Sequence, residues 1–267
     1  MNLLTPEVVA KAGSEIKTGH SAALNWSLDR LHKAGFGRIT LEHQIIDWKK
    51  EYGADMWCFD DIVKINTQTG SQWDGLRHWG HSDTGLYYNG THHNDLLASG
   101  RLGIDAWSKR GGIAGRGILL DYVAYAKRHG IDYSAMSAQK ITMKDIQGMI
   151  REQNLEQRPG DLLLVRSGWV KWYEEHTQEE REKYITNGNA WVGVEGCEEV
   201  AEWLWNSRIS AVAGDSIGFE VWPSKAPWKL HDVCLSMWGM VSFQHIIRTG
   251  RCLFYHSPLV KCGISKR

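Results

Sequence analysis

The chain has 267 residues, with 31 lysines and arginines balanced by 31 aspartates and glutamates. A formal net charge of zero argues against nucleic-acid binding and against docking on an anionic membrane, because both need a basic surface. The five cysteines are odd in number and share no Cys-x-x-Cys spacing, which favours reduced thiols in a cytoplasmic protein. We expect no membrane span and no signal peptide, because the sequence lacks an apolar run of about 20 residues and a basic, apolar N-terminus.

The first quarter of the chain predicts a helix, a loop and two short strands. Residues 5–19 are expected to be helical, with Pro6 at the helix start. Residues 27–38 contain glycine and charge without an apolar period, which indicates a loop. Strands are predicted within residues 41–50 and 61–66, the second because of its β-branched run.

The stretch of residues 70–81 concentrates polar side chains between closely spaced glycines. A helix is disfavoured here, because each glycine costs about 1 kcal/mol relative to alanine. The pattern instead indicates a strand end that runs into a loop. Side chains two positions apart on a strand share a face, so Gln68, Gln72 and Asp74 are predicted to surround one small volume with His78.

The rest of the chain alternates predicted strands and helices. A loop is expected over residues 87–100, and buried strands are expected over residues 115–122, 160–166 and 209–213. Helices are expected over residues 123–129, 143–154, 178–184 and 197–206. The pattern at 231–239 fits either a strand or a helix. With no internal repeat or linker, the sequence predicts one α/β domain over residues 1–267 with a mixed β-sheet.

Several segments resemble the cyclase family, the metal-dependent hydrolases that include kynurenine formamidase and isatin hydrolase. The family motif His-x-Gly-Thr-His-x-Asp-x-Pro-x-His can be laid on this chain so that Gly70, Asp74 and His78 match. The two leading histidines, which are metal ligands in the family, are replaced by Gln68 and Gln72. The chain is similar to a branch common in fungi through Thr5-Pro6-Glu7-Val8-Val9, Leu24-Asn25-Trp26, Gly35-Phe36-Gly37-Arg38, Tyr88-Asn89-Gly90, Gly115-Arg116-Gly117, Arg166-Ser167-Gly168-Trp169 and Ala213-Gly214-Asp215-Ser216. The resemblance implies a swivelling β/β/α barrel-like fold.

The resemblance also bears on metal binding. It implies His231 as a distant histidine ligand and places Gln244 where the family has a glutamate ligand. A catalytic zinc or manganese ion needs about three protein ligands, usually histidine and carboxylate, and a neutral glutamine carbonyl is a poor substitute. We therefore expect no cofactor, with manganese or zinc held by Asp74, His78 and His231 as the alternative.

Without a metal, these residues favour ring closure or isomerisation over hydrolysis, because water would not have its pKa lowered to about 7 by metal coordination. His78, or His32 on the loop that overlies the site in the family, would remove a phenolic proton. Gln68 and Gln72 would donate hydrogen bonds to a carbonyl oxygen, and Asp74 would orient an imidazole. Addition of a phenol to an enone, as in closure of a chalcone to a flavanone, is one concrete reaction of this kind.

An aromatic small molecule is the expected substrate. Trp73 and Trp79 interleave with the polar stretch, and aromatic walls beside convergent polar groups suit a flat ligand. Further members of the expected substrate site are Trp26, Tyr88, His81 and His231.

Two alternatives from other classes stay open. One is a manganese- or zinc-dependent hydrolase of a cyclic or formyl amide or a lactone, and the other is a non-enzymatic small-molecule binder. We also expect a homo-oligomer, with a homodimer favoured, from the zero net charge, the 14 tryptophans and the habit of the family.

Overall fold

The computed structural model describes residues 2–53, 55–187, 190–244 and 259–263. Its strands are β1 (Glu42–Asp47), β2 (Phe59–Lys64), β3 (Gln72–Asp74), β4 (Ala114–Asp121), β5 (Lys140–Ile141), β6 (Leu162–Arg166), β7 (Gly193–Val194), β8 (Ala211–Gly214), β9 (Val241–Gln244) and β10 (Leu259–Gly263). Its helices are α1 (Pro6–Gly13), α2 (Trp48–Tyr52), α3 (His93–Ser99), α4 (Asp105–Lys109), α5 (Tyr122–Arg128), α6 (Met143–Glu152), α7 (Trp169–Glu175), α8 (Gln178–Asn187) and α9 (Glu198–Asn206). Shorter elements are the 3₁₀ turns Thr67–Thr69 and Tyr88–Gly90 and the π-helical segment Asp232–Met237. Within these ranges no helix has the length and apolar character needed to cross a membrane.

A six-stranded mixed sheet organises the chain in the order β10-β4-β6-β8-β9-β3. Strands β4, β6, β8 and β9 run parallel, whereas β10 and β3 pair antiparallel at the two edges. The apolar residues 162–165 of β6 are each at most 2% exposed, as expected for a parallel strand covered on both faces. The predicted α/β fold with a mixed sheet is confirmed. The described strands form an open sheet, however, which corrects the barrel-like outline.

The sheet separates two hydrophobic cores, because alternate residues of each strand point to opposite faces. Leu163 and Val165 belong to the larger core, with buried residues of α5, α6, α7 and α9. Leu162 and Leu164 belong to the smaller core, which also contains Leu235 from the π-helical segment. The site described below lies where the short edge strand β3 meets β9.

Local sequence signals explain where the helices agree with the prediction and where they differ. Thr142 caps α6 and forms a capping box with Asp145, so this predicted helix is confirmed at its start. The predicted loop at residues 87–100 is wrong in part, because α3 occupies His93–Ser99 and ends at Gly100 in the left-handed conformation. Helix α1 ends at Gly13, six residues before the predicted end at residue 19.

Strands β1 and β2 form a separate antiparallel hairpin outside the main sheet. The register places Ile45 opposite Asp61 and His43 opposite Val63, so Ile45, Val63 and Phe59 share one face. These three apolar side chains are 62%, 51% and 66% exposed, respectively. The same face also carries His43, Asp47 and Asp61, so the hairpin presents three exposed apolar side chains among polar ones.

Candidate active site

The polar residues of the stretch 70–81 meet those of β9 across an antiparallel strand pair. Gln72 lies opposite Gln244, and Asp74 lies opposite Ser242. Because alternate residues share a face, these four side chains point to one side of the sheet. Gln68 approaches the same side from the 3₁₀ turn, whose first residue is preceded by a capping Asn66.

Asp74 is the fully buried centre of this group. Its Oδ1 accepts a hydrogen bond from Nε2 of Gln68 at 2.7 Å. Its Oδ2 accepts from Nε2 of Gln244 at 2.5 Å and from the hydroxyl of Ser242 at 3.0 Å. Three donors therefore surround a carboxylate that is buried from solvent, which is how a buried charge is usually satisfied.

The orientation of three glutamines follows from this carboxylate. Gln68 and Gln244 must present their NH2 groups to Asp74, so their carbonyl oxygens point away from it. Nε2 of Gln72 lies 3.2 Å from each of these two oxygens and donates to both. In the reverse orientation the NH2 group of Gln72 would instead donate to the backbone carbonyls of Thr67 and Gly70, and its carbonyl oxygen would face the side-chain oxygens of Gln68 and Gln244.

This network changes the role expected for Gln72. In either orientation its NH2 group faces two protein acceptors, the side-chain oxygens of Gln68 and Gln244 or the backbone carbonyls of Thr67 and Gly70, so Gln72 is not free to donate to a substrate carbonyl. Gln68 uses one hydrogen on Asp74 and retains the other. Of the two glutamines in the sequence prediction, Gln68 is the one able to hold a developing oxyanion.

His78 lies in the loop after β3, where its backbone N–H donates to the carbonyl of Gly75 at 2.8 Å. Its Nε2 is 3.9 Å from Oδ1 of Asp74, which is too long for a hydrogen bond, so Asp74 does not orient this imidazole as expected. Burial lowers the pKa of His78, the charge of Asp74 counteracts this in part, and the charges of His231 and Arg38 lower the pKa further. His78 is therefore a neutral imidazole at neutral pH and can accept a proton.

His231 has the opposite electrostatic setting. Its Nδ1 donates to Oε1 of the buried Glu220 at 2.5 Å, and Glu220 also accepts the backbone N–H groups of Leu230 and His231 at 2.9 Å. Burial lowers the pKa of His231, but the hydrogen bond and charge of Glu220, with the charges of Asp74 and Asp232, outweigh it and raise the pKa. The centres of the His78 and His231 rings are 6.2 Å apart. Two imidazoles whose pKa values are pushed apart are suited to act as base and acid.

Trp79 supports the His231 ring, but other predicted substrate residues lie elsewhere. The ring centres of Trp79 and His231 are 5.1 Å apart, and Nε1 of Trp79 donates to Asp232 at 2.6 Å. Trp73 points to the other face of β3 and packs edge-on against Phe243. Tyr88 lines a separate cavity of about 660 Å³.

The structure also separates three further candidates from the polar group. His32 is exposed on its loop and does not line the cavity beside Gln68. His81 is engaged within its own loop, where its backbone N–H donates to Leu86 and its Nδ1 accepts from Asp83. Trp26 is buried in the larger core.

A cavity of about 90 Å³ opens beside Gln68. Trp191 and Trp222 stack with ring centres 5.2 Å apart, and Phe36 stands edge-on to both at 6.3 Å. Arg38 and Gln68 line the same cavity. The indole N–H of Trp191 donates to the backbone carbonyl of Glu220, so the aromatic wall is tied to the partner of His231. No sequence pattern separates Trp191 and Trp222 from the other tryptophans, because both join the cavity only through the tertiary fold.

Comparison with known proteins identifies the family. Residues 11–221 match the family model Cyclase, described as "Putative cyclase". The chain belongs to the Cyclase family. A search of curated proteins found no match to this chain.

Several solved structures share the fold of this chain. A crystal structure described as a novel cyclase has a TM-score of 0.78 and 25% identity, covering 92% of this chain and 81% of the other. Isatin hydrolase A from Labrenzia aggregata, bound to benzyl benzoate, has a TM-score of 0.60 and 14% identity, with coverage of 90% and 86%. An isatin hydrolase bound to the product analogue thioisatinate has a TM-score of 0.56 and 12% identity, with coverage of 92% and 87%.

The donor set of this chain does not fit the divalent metal that its family motif implies. One ligand atom each from Asp74, His78 and His231 lies within 4.8 Å of the others. However, both oxygens of Asp74 already accept hydrogen bonds, and a cation there would face the N–H groups of Gln68 and Gln244. The amide carbonyls are turned away from Asp74, and glutamine is in any case a poor ligand for a transition metal. Amide N–H groups thus surround Asp74 at the positions where the family motif has metal ligands.

Proposed function

We propose that this cyclase is an enzyme that closes or isomerises an aromatic small molecule by acid–base catalysis without a metal. The observation that carries the proposal is the satisfied network around Asp74, in which Gln68 and Gln244 donate to the carboxylate. Two imidazoles with opposite pKa shifts, His78 and His231, supply the proton-transferring groups. Intramolecular closure needs these groups and an enforced substrate conformation, but no activated water.

Closure of a phenol onto an enone illustrates the steps. Neutral His78 accepts the phenolic proton, and the phenolate oxygen attacks the β-carbon of the enone. The electron pair moves to the carbonyl oxygen, where the remaining N–H of Gln68 stabilises the enolate. Protonated His231, held by Glu220, returns a proton to the α-carbon. The product has the same atoms as the substrate, and the enzyme regains its starting state when His78 releases its proton to solvent and His231 takes one up.

An aromatic substrate is supported by the walls of the cavity beside Gln68. The stacked pair of Trp191 and Trp222, with Phe36 edge-on, forms an aromatic wall against which a planar ring can pack. The likeness to isatin hydrolase, at 12% to 14% identity, concerns the fold, so the reaction type rests on the residues of this chain.

Turnover in ¹⁸O-labelled water tests the proposal against hydrolysis. 2′-Hydroxychalcones and cyclic amides such as isatin are incubated with the protein, and the masses of the products are measured by mass spectrometry. We expect an isomeric product with the mass of its substrate and no label from water. A product that has gained labelled oxygen would establish the hydrolase, which the clustering of Asp74, His78 and His231 favours. Binding without any product would support the non-enzymatic binder.

We further propose a cytoplasmic homodimer that pairs through the β1–β2 hairpin. The exposed face of Ile45, Phe59 and Val63 and the zero net charge support self-association. Light scattering at micromolar concentration should give about twice the chain mass of 30.3 kDa. Replacing Ile45 and Val63 with lysine should give the single mass, and a monomeric parent protein would refute the dimer.

A further inference from the structure

Arg38 is delivered to the cavity by a tight turn. Phe36 and Gly37 have φ values of 59° and 66°, and the backbone N–H of Arg38 donates to the carbonyl of Gly35 at 3.3 Å. Two successive residues with positive φ are typical of a type I′ turn. The conformation costs a non-glycine residue about 1–2 kcal/mol, so Phe36 is held there against its own preference. The turn sets the Phe36 ring against Trp191 and places Arg38 beside Gln68.

Three other buried or half-buried arginines in the protein form ion pairs with carboxylates. Arg116 pairs with Asp161 at 2.6 Å, Arg158 pairs with Glu15 at 2.8 Å, and Arg166 pairs with Asp121 at 3.0 Å, as these buried and half-buried groups require. These pairs satisfy charges that would otherwise be costly away from water.

Arg38 has no such partner in the described part of the chain. It is half-buried, and no described residue accepts a hydrogen bond from its guanidinium group, which lies 5.0 Å from the centre of the Phe36 ring. Burial lowers the pKa of Arg38, and the charge of Asp74 compensates only in part. A fork of N–H donors therefore lines an aromatic cavity without an acceptor from the described part of the chain.

We infer that Arg38 binds an anionic oxygen of the substrate, so that the substrate is a planar aromatic acid, either a carboxylate or an acidic phenol. The inference rests on the proposed function for its site and names the substrate class of that site. The ring of the substrate would contact Trp191 and Trp222, its anionic oxygen would meet Arg38, and its reacting end would point toward Gln68. A charged hydrogen bond to a carboxylate is worth enough to raise affinity about tenfold to a hundredfold.

Calorimetric titration with cinnamate and cinnamamide tests this inference, because the two probes share a shape and differ in charge. We expect the parent protein to bind cinnamate at least about tenfold more tightly than cinnamamide at pH 7.5. Arg38→Gln should make the two affinities equal by weakening cinnamate alone. Arg38→Lys should keep part of the preference, because it retains the charge and loses the fork.

Arg110→Gln is the matched control, because Arg110 lines the separate cavity and hydrogen-bonds Asn2. It should leave both affinities unchanged. Equal binding of the probes by the parent, an unchanged preference in Arg38→Gln, or no binding of either probe at millimolar concentration would overturn the inference. The measurement involves no turnover, so a confirmed preference with a labelled hydrolysis product would reject the proposed reaction and keep the role of Arg38.

Discussion

Two buried carboxyl groups each lie beside a histidine in this site, and they affect the pKa of that histidine differently. Glu220 bonds directly to Nδ1 of His231 at 2.5 Å and contributes to its raised pKa. Oδ1 of Asp74 lies 3.9 Å from Nε2 of His78, and the Asp74 carboxylate accepts hydrogen bonds from two glutamines and a serine instead. The Glu220–His231 pair therefore favours an imidazolium, whereas the Asp74–His78 pair leaves a neutral imidazole whose pKa is lowered by burial.

The distance between the imidazole and the carboxylate, more than the presence of the carboxylate, sets the role of each histidine. A carboxylate in contact stabilises the charged imidazolium, and a carboxylate already satisfied by amides adds only a weaker, longer-range attraction. Turnover should accordingly follow a bell-shaped pH profile. It should rise with pH through a pKa below the ordinary 6.5 as His78 loses its proton, and fall through a pKa above 6.5 as His231 does.

Removing the base at the Asp74–His78 pair should have the largest effect. His78→Gln should lower kcat by about 10²–10⁴, the usual contribution of a positioned proton acceptor, while the circular dichroism spectrum stays that of the parent. His32→Gln is the matched control and should change kcat little, because His32 is exposed and is not part of the cluster of Asp74, His78 and His231. Loss of activity in His32→Gln with activity retained in His78→Gln would place the base on the loop.

Neutralising the carboxyl group at the Glu220–His231 pair should have the next largest effect. Glu220→Gln keeps an acceptor oxygen but removes the charge that raises the pKa of His231, so the alkaline limb of the kcat profile should move to lower pH. We expect kcat at pH 7.5 to fall about tenfold to a hundredfold, as part of the contribution of a general acid. Glu195→Gln, at an exposed pair with Lys140, should leave the profile unchanged. An unmoved alkaline limb in Glu220→Gln would remove His231 from the acid role.

Neutralising Asp74 should have the smallest effect on kcat, about tenfold or less, because the proton acceptor stays in place. Asp74→Asn removes a charge that raises the pKa of His78, so the acidic limb should move to lower pH. The NH2 group of the introduced asparagine would face the NH2 groups of Gln68 and Gln244, so the free energy of unfolding should fall by about 1–3 kcal/mol. Ser242→Ala removes one hydrogen bond and keeps the charge, so its acidic limb should not move. An acidic limb that stays in place in Asp74→Asn would show that the Asp74 charge does not reach His78.

Much of the fold and the centre of the site could be predicted from the sequence. The all-apolar run in β6 and the capping threonine of α6 are local signals with one structural meaning. The period of two along Gln72 and Asp74 placed them correctly on one face. Helix α3 was missed because its short sequence lacks a side-chain cap and an apolar period.

The rest of the site depends on contacts between distant parts of the chain. Glu220 reaches His231 through the tertiary fold, and neither residue shows a local pattern that predicts the pair. Sequence reasoning assigned Gln72 the role of a free donor, because only the three-dimensional positions of the surrounding acceptors reveal that its hydrogens are used. Residues of the aromatic cavity, such as Trp191, could not be selected from 14 tryptophans by type alone.

Turnover by metal-free protein tests most directly whether the amide network around Asp74 replaces a metal. The protein is purified without chelator, its metal content is measured by elemental analysis, and kcat is compared before and after exhaustive chelation. We expect far less than one manganese or zinc ion per chain and an unchanged kcat. Stoichiometric metal, with activity that chelation abolishes and manganese or zinc restores, would contradict this account and assign Asp74, His78 and His231 as ligands.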